Sequence, residues 1–338
     1  MFKNLHELIA TMPDEKTCRD YLIKERWNGV ITCPYCGNEG AYVIEGGKRF
    51  KCRSFACYKK FSVTVGTIFE ASNIPLNKWF MAGYLALSHK KGISSYQLAK
   101  DIGVSQKCAW FMLHRLRQLM HPEDEVKSQG IVEVDEVYIG GRMKNKHKRI
   151  REQYKNSPGH TGNKTGVMGI LERGKDVKAK VINNKESTLK EMVKQNVDTN
   201  AMVITDALNA YNGLNYFFAK HDVICHDKNS FVEGYVHTNT VEGFFAYLKR
   251  SIFGIYHQVS PKHLQAYCNE NAYRYNTRKM TDPQRFIVSL QNIERRLDYK
   301  TLTADKEINS NLAVWQKQKK LSTKQRDALL KNNPPNSI

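Results

Sequence analysis

Four cysteines, arranged as Cys33-Pro-Tyr-Cys36, fifteen residues, and then Cys52-Arg-Ser-Phe-Ala-Cys57, constrain this chain more than any other feature. A tetrahedral zinc ion requires two turns that each project a thiolate pair toward one point, and small β modules depend on such an ion because their own cores are too small. The second pair has four intervening residues rather than two, which stays within the range of zinc knuckles. One structural Zn2+ on Cys33, Cys36, Cys52 and Cys57 is expected, and with every coordination position filled by sulfur it is not catalytic. The other cysteines, Cys18, Cys108, Cys225 and Cys268, are scattered, which argues against a disulfide framework and suits a reducing compartment.

Around this module the chain divides by pattern. Residues 1–24 read as an N-terminal helical segment and 25–70 as the zinc ribbon, with hairpin-like pieces AYVIEGGKRFKC and KKFSVTVGTIF. Residues 71–123 switch to helical periodicity in three stretches, LNKWFMAGYLALSHK, SSYQLAKDI and SQKCAWFMLHRLRQLM. The last two predict a helix-turn-helix. Ile93, Leu98, Ile102, Val104, Trp110 and Leu113 bury one face, Ala99 allows close approach, Gly103 makes the left-handed turn and Ser105 caps the following helix. That helix would offer Ser105, Gln106 and Lys107 to DNA, and further along His114, Arg115 and Arg117. A plain three-helix bundle with a basic face is the alternative. Residues 124–285 alternate strands (IVEVDEVYIGG, VMGILERG, VKAKVIN, AMVITD, KHDVICH) with helices (STLKEMVKQN, TVEGFFAYLKR), as in a mixed sheet covered by helices. Residues 286–338 form a charged C-terminal tail.

Charge points to the partner. There are 53 Lys+Arg against 33 Asp+Glu, leaving +20, and neutralising phosphates dominates nucleic-acid affinity. A basic surface kept for solubility, or one facing anionic lipid, gives the same count. Residues 141–164 alone carry eight Lys+Arg and one Glu, a candidate phosphate clamp or simply a solvated loop. Lys48, Arg49, Lys51, Arg53, Lys59 and Lys60 of the ribbon, and Lys249 and Arg250, are further candidates. No apolar run is long enough to cross a bilayer, and the acidic Asp14 and Glu15 do not suit a signal or transit peptide, so an intracellular protein is expected.

Three acidic residues stand where chemistry would need them. Asp135 lies mid-strand among apolar neighbours, costly unless a cation meets it, with Glu133 and Glu136 flanking it as substitutes. Asp206 ends an apolar strand. Glu242 begins a helix whose buried stripe is Val241, Phe244, Phe245 and Leu248, with Lys249 two turns along its flank. Carboxylates of this kind can hold a pair of divalent ions that activate nucleophile and leaving oxygen of a phosphodiester, and Mg2+ suits an all-oxygen site. Singly each has a plainer reading: Asp206 as an Asx-turn residue, Glu242 as the partner of an Asn239 cap. Asn239, one turn before Glu242, is the second choice for the third ligand.

With CPYCG, CRSFACYKKF, VEVDEVYIGGR, ITDALNAYNGL, HTNTVEGFFAYLKRSIFGIYHQVS and NAYRYNTRK in view, the chain resembles the DDE transposases of bacterial insertion sequences, in the zinc-ribbon group related to Merlin elements, with an ISXO-like integrase-type catalytic domain. The resemblance covers roughly residues 30–280. It implies a ribonuclease-H-like catalytic domain and metal ligands at Asp135, Asp206 and Glu242, carrying two catalytic Mg2+ or Mn2+ ions. It further implies recognition of terminal inverted repeats by the front end, and a dimer or larger assembly on DNA in the bacterial cytoplasm and nucleoid. Members vary between Asn and Glu in the third acidic role, and this chain has both Asn239 and Glu242. The rival readings are a DNA-binding regulator with an inactive transposase-derived domain and a nuclease without strand transfer.

Overall fold

The computed structural model describes residues 2–122, 126–141, 143–145, 147–153, 164–182, 186–224 and 235–304. Residues 142, 146 and 154–163 of the basic stretch 141–164, together with Cys225, His226 and the tail from residue 305, lie outside the described residues. Two helices open the chain, α1 (Leu5–Thr11) and α2 (Glu15–Trp27), with Asn4 and Asp14 accepting backbone N–H bonds as N-caps. An antiparallel sheet follows, ordered β1 (Ala41–Ile44), β2 (Arg49–Cys52), β3 (Lys60–Phe61). Gly46 and Gly47, at φ 63° and 80°, make the turn between β1 and β2 that the Gly-Gly pair predicts. Phe50 and Phe61 pack edge-on against Trp27, with ring centroids 6.2 and 6.0 Å from it, so α2 walls the ribbon. The second expected hairpin piece is mostly turn: after Phe61 the chain leaves the sheet and buries Ile68 and Phe69 in the next core.

That core is built by α3 (Leu76–Ser88), α4 (Ser95–Ile102) and α5 (Gln106–Leu119) around Trp79, Phe80, Leu87, Leu98, Met112 and Leu116. Gly103 ends α4 at φ 63°, ψ 58°, and Ser105 accepts from the Cys108 N–H at 3.2 Å to start α5. Ile93, Leu98, Ile102 and Leu113 are buried as expected; Val104 and Trp110 are half-buried.

The α/β unit has a five-stranded sheet in the order β6 (Val177–Ile182), β5 (Thr165–Glu172), β4 (Ile131–Ile139), β7 (Met202–Asp206), β8 (Lys220–Ile224). β4, β5 and β6 run antiparallel in sequence, whereas β7 lies parallel to both β4 and β8. α6 (Lys148–Gln153) falls between β4 and β5, and α7 (Glu186–Asn196) supplies Leu189 and Val193 to the face formed by Val132, Val134, Met168 and Ile170. The opposite face, Val137, Val167, Leu171 and Val177, is covered by α8 (Asn239–Ser251) and α9 (Pro261–Asn276). Burial on both faces explains why β5 reads as a nearly continuous apolar run, whereas β4 is interrupted by Glu133, Asp135 and Glu136.

The chain then returns to the front end. α10 (Asp282–Leu290) and the residues leading to α11 (Tyr299–Thr303) put Phe286, Leu290 and Ile293 into the core of α3 and α5. The approach is close: a Cβ built on Gly83 would meet Phe286 at 2.9 Å. Residues 286–304, read from sequence as part of a tail, are thus structural here.

Three basic residues expected to face DNA are instead interior. Arg115, 3% exposed, donates to the carbonyls of Leu297, Ile68 and Glu70 at 2.8–2.9 Å, tying the returning chain to the helices. Arg117, also 3% exposed, pairs with Glu270 of α9 at 2.7 Å, and Arg274 pairs with the other oxygen of Glu270 at 2.7 Å. His114 is buried against His263 of α9, with ring centroids 4.7 Å apart. The physical reason is shared: α5 is buried on both sides, so its C-terminal half is a seam between the front end and the α/β unit. Part of the positive charge therefore serves folding.

Candidate active site

β4 and β7 pair with Ile131 opposite Met202, Val132 opposite Val203 and Glu133 opposite Ile204. Carried two residues further along both strands, that register sets Asp206 beside Asp135. Both carboxylates are half-buried. Asp135 accepts from the Glu136 N–H at 2.8 Å, and Asp206 from the Leu208 N–H at 3.2 Å, so the Asx-turn geometry of Asp206 is present as well. Glu136, on the opposite face, accepts from the Tyr211 hydroxyl. Burial pushes the Glu136 carboxyl up to about 7, with the nearby Asp206 and Asp135 charges adding and the Tyr211 hydrogen bond opposing. The phenols of Tyr211 and Tyr138 are raised too, by burial first and then by the same three carboxylates. Negative charge is concentrated where β4 and β7 meet, and a divalent cation would relieve it.

α8 is fixed beside this point. Glu133, fully buried, accepts from the backbone N–H groups of Thr240 and Val241 at 2.9 and 3.0 Å and from the Thr240 hydroxyl at 2.9 Å. Arg173 donates to it at 2.6 Å and His237 lies 3.4 Å away. A β4 carboxylate thus satisfies the orphan donors of α8's first turn and complements its dipole. With both oxygens so engaged, Glu133 is no substitute for Asp135. Val241 and Phe245 press on Gly169, where an added Cβ would meet them at 2.7 and 2.8 Å. Gly169 is the ladder partner of Asp135, so α8 is seated over the middle of β4.

On α8 the residues Asn239, Glu242 and Lys249 are exposed, while Val241, Phe244, Phe245 and Leu248 are buried as the periodicity predicts. Thr238, not Asn239, holds the N-cap position, and its hydroxyl donates to Glu242 at 3.0 Å. The structure brings Asp135, Asp206 and Glu136 together on neighbouring strands, with Glu242 on the adjoining helix. Among the described residues, however, the only group of three or more His, Cys, Asp or Glu whose ligand atoms all lie within 4.8 Å of one another is the cysteine cluster. The donor set is all-oxygen and suits a hard divalent ion, though not yet closed about one point.

The cysteine cluster is closed. Cys33, Cys36, Cys52 and Cys57 converge, with Cys33 Sγ 3.8 Å from Cys57 Sγ and Cys36 Sγ 3.6 Å from Cys52 Sγ. Zinc–sulfur bonds near 2.3 Å in a tetrahedron put sulfurs about 3.8 Å apart, so the residues fit structural zinc.

Of the expected DNA-facing residues, Ser105 and Lys107 are exposed at the start of α5, and Gln106 is half-buried, donating to Ser95 Oγ at 2.8 Å. Arg115 is withdrawn, as described above. Lys249 and Arg250 line a groove with Lys91, Phe253, Gly254 and Ile255, where α8 meets the α3–α4 connection. Ser251 Oγ donates to the Lys91 carbonyl there at 2.8 Å. Sequence reading named Glu133 only as a substitute for Asp135 and missed its role in holding α8; Arg173 and Lys91 it overlooked, with no local signal to find them.

These elements define a two-part protein, a zinc-ribbon and helical front end joined to an α/β unit with an acidic centre. The comparisons place both parts in one setting. Residues 127–276 match the ISXO2-like transposase domain, and residues 13–60 match the transposase zinc-ribbon domain. An uncharacterised protein in transposable element ISH50 of Halobacterium salinarum is 29% identical over 261 residues, covering 72% of this chain and 84% of that protein. The two segments are thus each similar to a transposase domain, which bears out the resemblance read from the sequence and supports a transposase role. Among the described residues no helix is long and apolar enough to cross a membrane.

Proposed function

We propose that this chain is a metal-dependent DNA transposase that cuts phosphodiester bonds at the ends of its element and transfers the freed 3′-hydroxyls into target DNA. The observation that carries the reading is the parallel β4–β7 pair, which sets Asp135 and Asp206 side by side at the middle of a sheet ordered β6-β5-β4-β7-β8, inside a segment matched by a transposase domain. That order, with the first three strands antiparallel and the last two parallel to the first, is the arrangement expected of a ribonuclease-H-like domain.

Asp135 and Asp206 would hold divalent ions, Mg2+ or Mn2+, with Glu242 as the third ligand and Asn239 as the alternative. Such ions supply Lewis acidity and a deprotonated oxygen nucleophile at a phosphodiester. The chain's own part is positioning: Glu133 fixes the helix that bears Glu242, and Gly169 lets it sit close over Asp135. Lys249 and Arg250, in the groove beside Lys91, meet the phosphate backbone near the cut. The pair α4–α5 acts as a helix-turn-helix, with Ser105, Gln106 and Lys107 toward the terminal inverted repeats. Joining two ends calls for a dimer or larger assembly on DNA. Incubating the protein with labelled element ends, a target plasmid and Mg2+ or Mn2+ tests the reading: joined end–target product supports it, cleavage without joining leaves a nuclease, and tight binding without product leaves a regulator.

A further inference from the structure

The zinc ribbon has a surface that metal binding does not require. On one face of its sheet Tyr42, Lys51 and Lys60 lie side by side across three strands, because Tyr42 pairs with Lys51 and Lys51 with Lys60. Rings and cations alternate along it. Arg53 lies 5.1 Å from the Tyr42 ring centroid, Lys51 lies 3.8 Å from that of Tyr58, and Tyr58 stacks on Phe55 at 6.0 Å and 14°. These rings are not core: Phe55 is 94% exposed, Tyr42 51% and Tyr58 47%. Tyr58 is also held at φ 51°, a left-handed conformation that costs energy in a bulky residue.

Two features of this face are unfavourable in the free protein. Lys51 and Lys60 stand directly opposite each other on neighbouring strands, where like charges repel. A large ring at Phe55 is left in water. Residues 33–62 hold six Lys+Arg and two Glu, so the local excess is positive. A ligand with negative charge and flat apolar faces answers both costs, and unpaired nucleotides have both. Bases locked in a duplex cannot offer their faces to a ring, whereas splayed ones stack on aromatics whatever their identity. A second protein surface without a compensating acid would leave the lysine pair as it is.

We infer that this face is a stacking platform for unpaired DNA, with bases on Phe55 and Tyr58 and phosphates on Lys51, Arg53 and Lys60. Resting on the transposase reading, in which cutting frees strand ends, the platform holds a displaced or overhanging strand next to the duplex that α5 engages.

The test uses full-length zinc-loaded protein and fluorescence anisotropy with a labelled oligothymidylate and a labelled blunt duplex of the element's end. Phe55→Ala/Tyr58→Ala and Lys51→Gln/Lys60→Gln are compared with wild type, with zinc content and sedimentation measured on each. The expected result is single-strand affinity about tenfold weaker in Phe55→Ala/Tyr58→Ala, with duplex affinity, zinc content and oligomeric state unchanged. Lys51→Gln/Lys60→Gln is expected to flatten the salt dependence of single-strand binding. Unchanged single-strand affinity, a parallel fall for strand and duplex, or a change confined to oligomeric state would each overturn the platform. If the wild type binds neither DNA, the transposase reading itself fails.

Discussion

Glu133 accepts the Val241 N–H at 3.0 Å, and through that bond the strand bearing Asp135 grips the helix bearing Glu242. Strand and helix are 108 residues apart in the chain, yet the spacing of two proposed metal ligands depends on this joint. Removing the carboxylate leaves the half-buried Arg173 with its bonds to the Tyr235 and His237 carbonyls alone and takes the acceptor from two helix N–H groups. Glu133→Ala is expected to cost about 3 kcal/mol or more in urea denaturation, whereas Glu45→Ala, at an exposed ion pair, should change stability by less than about 1 kcal/mol.

On α5, Arg115 serves the fold whereas the exposed Lys107 is a proposed DNA contact. Arg115→Met leaves three backbone carbonyls without their donor and is expected to destabilise by about 3 kcal/mol while native protein keeps its duplex affinity. Lys107→Ala is expected to do the reverse, weakening duplex binding and lowering its salt dependence with no change in denaturation midpoint. Equilibrium unfolding and anisotropy on the same samples check both.

The ribbon should be conditional on metal. Adding a strong chelator, or replacing Cys33 and Cys36 by Ser, is expected to release one zinc per chain and unfold residues 29–62 without unfolding the α/β unit. Zinc release followed with a chromogenic chelator, alongside hydrogen exchange, reads both events.

The seam between α5 and α9 should be sensitive to acid. Burial alone would raise the Glu270 carboxyl, but Arg274 and Arg117 outweigh it and, with the Tyr256 hydroxyl donating, hold it at about 2. Its folded value is depressed, so the stability it contributes is complete above about pH 4.5 and is lost as pH falls toward 2. His263 is likewise lowered, to about 4, chiefly by burial with Lys262 and Arg117 adding, so its contribution is complete above about pH 6.5 and lost as pH falls toward 4. Denaturation midpoints from pH 7 to 2.5 should fall across both windows in wild type. Glu270→Gln should be less stable at pH 7 and lose most of the lower step.

The contrast between what could and could not be read from the sequence has a physical cause. The cysteine spacing, the Gly103 turn, the Ser105 cap, strand β4 and the buried stripe of α8 are written in residues near one another, and local pattern decides them. Arg115 and Arg117 look the same in sequence whether they face phosphate or a buried acceptor, because the acceptors, Glu270 and the carbonyl of Leu297, lie 153 and 182 residues away. Glu133 was ambiguous for the same reason. Phe286 lies in a stretch too polar to suggest a core, and the room for it is made at Gly83 on a distant helix.

The central claim is that Asp135, Asp206 and Glu242 serve one phosphodiester-cutting site, and a cleavage assay on labelled element ends with Mn2+ tests it most directly. Asp135→Asn, Asp206→Asn and Glu242→Gln should each cut at least about a hundredfold more slowly than wild type while binding the ends and unfolding at the wild-type midpoint. Asn239→Ala should keep measurable cutting if Glu242 is the third ligand. Wild-type rates in the Asp135→Asn or Asp206→Asn protein would contradict the account.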